Sequence, residues 1–148
     1  MKIAEQEIVI RLVANEAELS QVFYLRWLVL RKPLGMELGT EQDQYEGNSF
    51  QFVAVFGDRI IGAARLRKES ENLGIISFVA VLSEFRHQGI GTKVMEKLME
   101  KAQQEKLQVV KLKSRITAVE FYKKIGFSEQ GEFFDYLTIP HITMEIKL

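Results

Sequence analysis

The sequence predicts an α/β fold of the mixed, α+β kind, with helices flanking a mixed sheet. Three observations carry this. Strand-length runs, Phe50 to Phe56, Arg59 to Leu66 and Ile75 to Val81, follow one another with turn signals between them. A glycine-rich turn and a helix start then come directly after the third run. Beyond it, helix and strand patterns alternate to the end, giving the order βα(α)βββαβαββ.

Taken in order, Ile8 to Leu12 is a short β-rich run, and Asn15 with Glu18 forms a capping box for the helix that follows. Leu19, Val22, Phe23, Arg26, Trp27 and Leu30 recur at three-to-four spacing, a stripe that ends before Lys32-Pro33. Leu34 to Gly47 is polar and glycine-punctuated, a long loop or a short second helix of the kind that lines substrate sites. Gly57-Asp58 joins the first two long runs as a hairpin, and a turn near Ser70-Glu71-Asn72 leads to the third. The helix from Ile90 carries Ile90, Val94, Leu98 and Ala102 on one face. Gln108 to Leu112 reads as a strand, Thr117-x-x-Glu120 as a capping box, and Gly126 as the end of the helix so opened. Glu129 to Phe134 and Ile139 to Ile146 complete the sheet.

The 148 residues read as one domain, 1–148, without repeats or linker. Twenty basic and 20 acidic residues cancel, so no global field favours nucleic acid or an anionic membrane. No apolar run approaches the roughly 20 residues of a membrane span, and the first seven residues lack a signal-peptide core. The expectation is a soluble, cytoplasmic protein. The absence of cysteine excludes disulfides, thiolate metal sites and an acyl-cysteine intermediate. With only His87 and His141, a zinc site would need carboxylates to complete it, and no metal is expected.

Arg86-His87-Gln88-Gly89-Ile90-Gly91 is the turn between strand and helix. Backbone N–H groups and the helix dipole there point at an anion, and two glycines let the backbone approach a phosphate without a Cβ in the way. The stretch reads as a pyrophosphate cradle. A dinucleotide fingerprint would need a third glycine where Val94 stands, and no G-x-x-x-x-G-K-[ST] occurs, so nicotinamide and ATP lose their main support.

What remains, R-x-x-G-x-G after a strand, resembles the acyl-coenzyme A motif of the GNAT acetyltransferase superfamily. Downstream, Ala118-Val119-Glu120-Phe121-Tyr122-Lys123-Lys124-Ile125-Gly126-Phe127 resembles the family's A-x-x-F-Y-x-x-x-G-F segment. The resemblance covers nearly the whole chain. It implies the GNAT fold, a mostly antiparallel sheet splayed beside the cradle strand. It also implies acetyl transfer from acetyl-coenzyme A to a primary amine of a small molecule, by direct attack in a ternary complex.

The family pattern carries over residue by residue. The backbone of Phe78, Val79, Ala80 and Val81 would hold the pantetheine arm and polarise the thioester carbonyl. Arg86, His87, Gln88, Gly89, Ile90, Gly91 and Thr92 would hold the pyrophosphate. Tyr122 aligns with a tyrosine near the coenzyme sulfur that protonates the leaving thiolate; packing alone is the plainer alternative. A phenol ionising near about 10 suits a thiolate whose acid lies near about 8.5. Arg115 stands where many members carry asparagine, and would meet a phosphate or face solvent.

No acidic residue lies on Ile75 to Val81, where several members place the general base. Glu84 follows in the loop and reads as a surface residue. His141, in Thr138-Ile139-Pro140-His141-Ile142-Thr143-Met144, resembles the I-P-H-x-x-M segment of one bacterial subgroup, and imidazole suits taking a proton from an amine. A structural histidine fixing the last turn is the alternative, as is deprotonation through water. Arg26, Arg31 and Lys32 would bind an anionic acceptor or form a solvated helix end. Rival functions are a protein or peptide acetyltransferase, a non-catalytic acyl-coenzyme A binding module, and a structural domain. The apolar late strands make a homodimer plausible.

Overall fold

The computed structural model describes residues 2–3 and 6–148. Its strands are β1 (Lys2–Ile3), β2 (Gln6–Leu12), β3 (Ser49–Phe56), β4 (Arg59–Lys68), β5 (Leu73–Val81), β6 (Val109–Arg115), β7 (Ser128–Tyr136) and β8 (Ile139–Lys147). The helices are α1 (Glu16–Arg26), α2 (Ile90–Gln104) and α3 (Val119–Ile125). The strands form one open sheet in the order β1-β2-β3-β4-β5-β6-β8-β7. Every pairing is antiparallel except β5 with β6.

That parallel pairing is short. It ends at Ile76 opposite Leu112, although β5 runs on to Val81 and β6 to Arg115. β6 turns its far half to β8 alone, and the second half of β5 follows β4 alone. The two strands therefore splay, leaving backbone groups of β5 on an unpaired edge. Leu82 donates to the Ile61 carbonyl of β4 at 2.9 Å. Alternation of strand amides then aims the Val81 N–H, and one pleat earlier that of Val79, at the open edge.

A bulge sits at the splay. Phe78 and Val79 of β5 oppose the single residue Ala64 of β4, and Phe78 takes a φ of 57°. A left-handed conformation costs a bulky residue about 1–2 kcal/mol. Its ring offsets that cost by lying against three guanidiniums, Arg26 at 4.2 Å, Arg65 at 5.0 Å and Arg31 at 5.7 Å. Each such contact is worth about 0.5–2 kcal/mol when desolvated, so together they are enough to hold the bulge.

Two elements begin otherwise than the sequence pattern predicts. Asn15 does cap α1 by accepting from the Glu18 N–H at 2.9 Å. The Glu18 carboxylate accepts instead from Ala14 N–H and binds Arg11 through both oxygens; the Arg11 hydrogen bond foremost holds its carboxyl down at about 2. The capping box expected at Thr117 does not form. A 3-10 turn over Ile116–Ala118 delays α3, so Glu120 falls one position too early to close the box. Past α1 the chain widens into a π-helical turn, Trp27–Arg31, and tightens into a 3-10 turn, Lys32–Leu34. The segment to Gly47 is a loop, with a further 3-10 turn at Glu46–Asn48.

Candidate active site

Beneath the bulge lies a buried ionic network. Arg26 and Arg65 are almost wholly enclosed, at 0% and 1% exposure. Arg65 grips Asp43 through two bonds of 2.7 and 2.9 Å and lies 3.1 Å from Glu46. Arg26 donates to Glu46 and Gln51 at 2.9 and 2.8 Å. Two cations thus face two carboxylates, which is the balance that burial requires. Burial would raise the Asp43 and Glu46 carboxyls, but the arginine hydrogen bonds and charges outweigh it and hold both below the usual range. The network ties α1 to β3, β4 and the loop before β3.

Above it, the splay opens a cavity of about 520 Å³. Its floor is Ser77, Phe78 and Val79 of β5 with Lys111 to Arg115 of β6; its walls come from the π-helical turn, the 34–47 loop and the β7–β8 turn. Tyr122 and His141, far apart in sequence, both line it. The Tyr122 ring is buried edge-on against Phe121 and Phe127, and burial pushes its phenol up to about 12. It therefore holds its proton more firmly than an ordinary tyrosine.

His141 is 5% exposed, stacked on Phe134 and edge-on to Tyr136. Its Nδ1 lies 2.7 Å from the Ile139 carbonyl. A carbonyl can only accept, so Nδ1 carries a hydrogen and Nε2 is left out of that bond. The bond to Ile139 also holds the turn into β8, so positioning and proton acceptance are compatible in one side chain.

The glycine turn read as a cradle lies beside this cavity rather than in it. Ala80, Val81 and residues 87–92 do not line it, and Arg86 borders a second cavity of about 750 Å³ toward α1. Gly89 caps α2 at a φ of 80° with open space where a Cβ would stand. No side chain caps α2 and no acidic residue lies in its first turn, so its leading N–H groups are available to an anion. At Gly91 a Cβ would meet the Phe121 ring at 3.3 Å, so this glycine makes room for α3. Glu84 pairs with Arg59 at the exposed surface, as its position in the sequence suggests.

The cationic cluster anticipated at the end of α1 is divided. Arg26 belongs to the buried network, Lys32 lies over the Trp27 ring, and only Arg31 reaches the cavity. Sequence reasoning did not single out Asp43, Tyr45, Arg67, Lys111, Lys113 or Tyr136, all of which line it. The loop signal at 34–47 pointed to the first two; the β6 lysines carry no motif. Among the described residues, no group of three or more His, Asp or Glu side chains could hold a metal ion.

The site thus joins a splayed β5–β6 pair, a bulge at the splay and an uncapped helix on a glycine turn. Residues 36–148 match the family model described as an acetyltransferase (GNAT) domain. The chain is 32% identical over 132 residues to the uncharacterized N-acetyltransferase YjcF of Bacillus subtilis (strain 168), covering 88% of this chain and 93% of that one. A putative N-acetyltransferase from Lactobacillus plantarum superposes with a TM-score of 0.86 at 21% identity, over 95% of this chain and 98% of its own. A GNAT acetyltransferase from Elizabethkingia anophelis with acetyl-CoA bound does so with 0.70 at 18%, over 95% and 98%. The chain belongs to the GNAT family of acyl-coenzyme A-dependent N-acyltransferases.

Proposed function

We propose that this chain, as one unit over 1–148, transfers an acetyl group from acetyl-coenzyme A to a primary amine of a small molecule by direct attack in a ternary complex. The carrying observation is the splay, which brings the free edge of β5 at Val79 together with Tyr122 and His141 around one cavity.

The residues fit the coenzyme. The free N–H groups at the start of α2 and the Arg86 guanidinium suit the pyrophosphate, with His87, Gln88 and Thr92 at its margin, and the unpaired edge of Phe78 to Val81 suits an extended pantetheine amide chain. The bound coenzyme supplies the activated thioester. Strand amides at the open edge polarise its carbonyl oxygen as negative charge builds there, a contribution typically worth 10²–10³ in rate per donor. The amine nitrogen bonds to the carbonyl carbon, the C–S bond breaks, His141 Nε2 or water takes the amine proton, and Tyr122 attends the departing sulfur. At about 12 the phenol is a weaker acid than the thiol and stays protonated, so it stabilises the departing thiolate as a hydrogen-bond donor.

A peptide acceptor would favour an open groove near residues 34–47. That loop instead lends Asp43 and Tyr45 to the cavity wall, which favours a small acceptor. No helix of the described residues is long and apolar enough to cross a membrane, consistent with a cytoplasmic enzyme. β7 is an open edge with Phe133 58% exposed, which supports a homodimer. The reading is tested with an amine panel at saturating acetyl-coenzyme A, scored by thiol release. Acetylation of a small primary amine is expected. Turnover on peptides alone would replace the acceptor class, and tight coenzyme binding without turnover would make the protein a binding module.

A further inference from the structure

We infer that Arg31 and Arg115 form a carboxylate-binding site in the cavity, so that the acceptor is an anionic amine of the amino-acid type; this rests on the acetyl-transfer reading above. The two guanidiniums approach from opposite sides of the splay. Arg115, at the end of β6, donates through Nη2 to the Leu30 carbonyl at 3.2 Å, and Arg31 donates through Nη1 to the same oxygen at 3.4 Å. Arg31 is 5% exposed and is fixed further by its Nε bond to the Thr40 carbonyl at 3.1 Å.

Neither guanidinium has an acidic partner among the described residues, which sets them apart from Arg26, Arg65 and Arg67 in the same region. Lys111 and Lys113 add two more cations to the floor, again without an ion pair. The one carboxylate in the lining, Asp43, is already held by Arg65. Like charges gathered at a partly buried site raise its energy until an anion enters, and burial together with Arg31 and Arg86 already disfavours the charged form of Arg115. The shared Leu30 carbonyl holds the two guanidiniums side by side, and their remaining N–H groups suit the two oxygens of a carboxylate.

The same field serves the chemistry. A ligand ammonium held among cations loses its proton more readily, and the attacking nitrogen must be neutral. The carboxylate anchors the acceptor, and the cations that anchor it favour the nucleophilic form of its amine. This reduces the demand on any single protein base.

Arg86 lies close enough to Arg115 for their charges to interact, so the shared chemistry could equally serve a coenzyme phosphate. The test separates these sources. Binding of phenylalanine, leucine and glutamate, each beside its C-terminal amide, is measured by calorimetry on protein saturated with coenzyme A. Affinity for coenzyme A is measured separately. The acids are expected to bind at least tenfold more tightly than their amides. Arg115→Gln should erase that preference, Arg115→Lys should keep part of it, and both should bind coenzyme A within threefold of the parent. Equal binding of acids and amides, or no binding by any of them, overturns the inference. Loss of coenzyme affinity in Arg115→Gln with the acid preference intact assigns the arginines to phosphate and overturns it as well. Thiol release is followed with the same panel. An acid preference that persists with no amine acetylated upholds the anion site and overturns the transferase reading instead.

Discussion

The Tyr122 hydroxyl is one oxygen in a ring otherwise enclosed by Phe121, Phe127 and the wall of the cavity. Removing it changes little packing and one proton. Tyr122→Phe should therefore leave coenzyme affinity and melting temperature near the parent while turnover falls about 10²-fold. Single-turnover kinetics at saturating substrates will check it, and an unchanged rate with chemistry limiting would confine Tyr122 to packing. His141 differs because its Nδ1 bond to Ile139 gives it a structural duty alongside any catalytic one. His141→Asn should lower turnover while coenzyme affinity stays near the parent. The rate must be read with a melting curve, since an unchanged rate in a folded variant assigns the residue to the turn alone.

At the scale of elements, the proposed chemistry depends on where pairing stops. The splay after Ile76 and Leu112 leaves a strand edge free, and the uncapped start of α2 leaves helix amides free beside it. Gly89 is the hinge between those two features. Its φ of 80° would cost a side chain about 1–2 kcal/mol, yet a Cβ there meets nothing, so the fold should tolerate a replacement that the ligand does not. Gly89→Glu is expected to retain the parent far-UV circular dichroism and abolish acetyl-coenzyme A binding in calorimetry. Near-normal affinity would remove the cradle from the reading.

For the whole molecule, the Arg26, Arg65, Asp43 and Glu46 network joins the first helix, the covering loop and the central strands into one support for the bulge. Its worth depends on pH. Asp43 and Glu46 ionise below their usual values in the folded state, so their contribution is complete above the unfolded values near about 4 and is lost as pH falls through the folded ones. Tyr122 has the opposite sign. With its phenol raised to about 12, its contribution is complete below the unfolded value near about 10 and disappears as pH climbs through 12. Urea unfolding should show stability falling at both ends of that range. At neutral pH, Glu46→Gln should cost about 3 kcal/mol, because it leaves the Arg26 charge buried without its carboxylate. A loss below 1 kcal/mol would mean that Gln51 and backbone carbonyls suffice.

The sequence by itself determined the family and, apart from the two-residue β1, the order of elements, and it pointed to the glycine turn at 86–91 as a cradle. These rest on local signals: strand-length apolar runs, glycines at a strand-to-helix turn, and the spacing around Tyr122, all of which act within a few residues along the chain. It also drew attention to the 34–47 loop, which lends Asp43 and Tyr45 to the cavity wall. Only the tertiary structure decided the rest. Arg26 reads as part of a helix face or a basic cluster, and its burial follows from a carboxylate, Glu46, that lies 20 residues away. Thr117 looks like a cap until a 3-10 turn shifts the helix start. Arg31 and Arg115, 84 positions apart in the numbering, meet because the parallel pair of strands separates, a consequence of sheet register that no local pattern encodes.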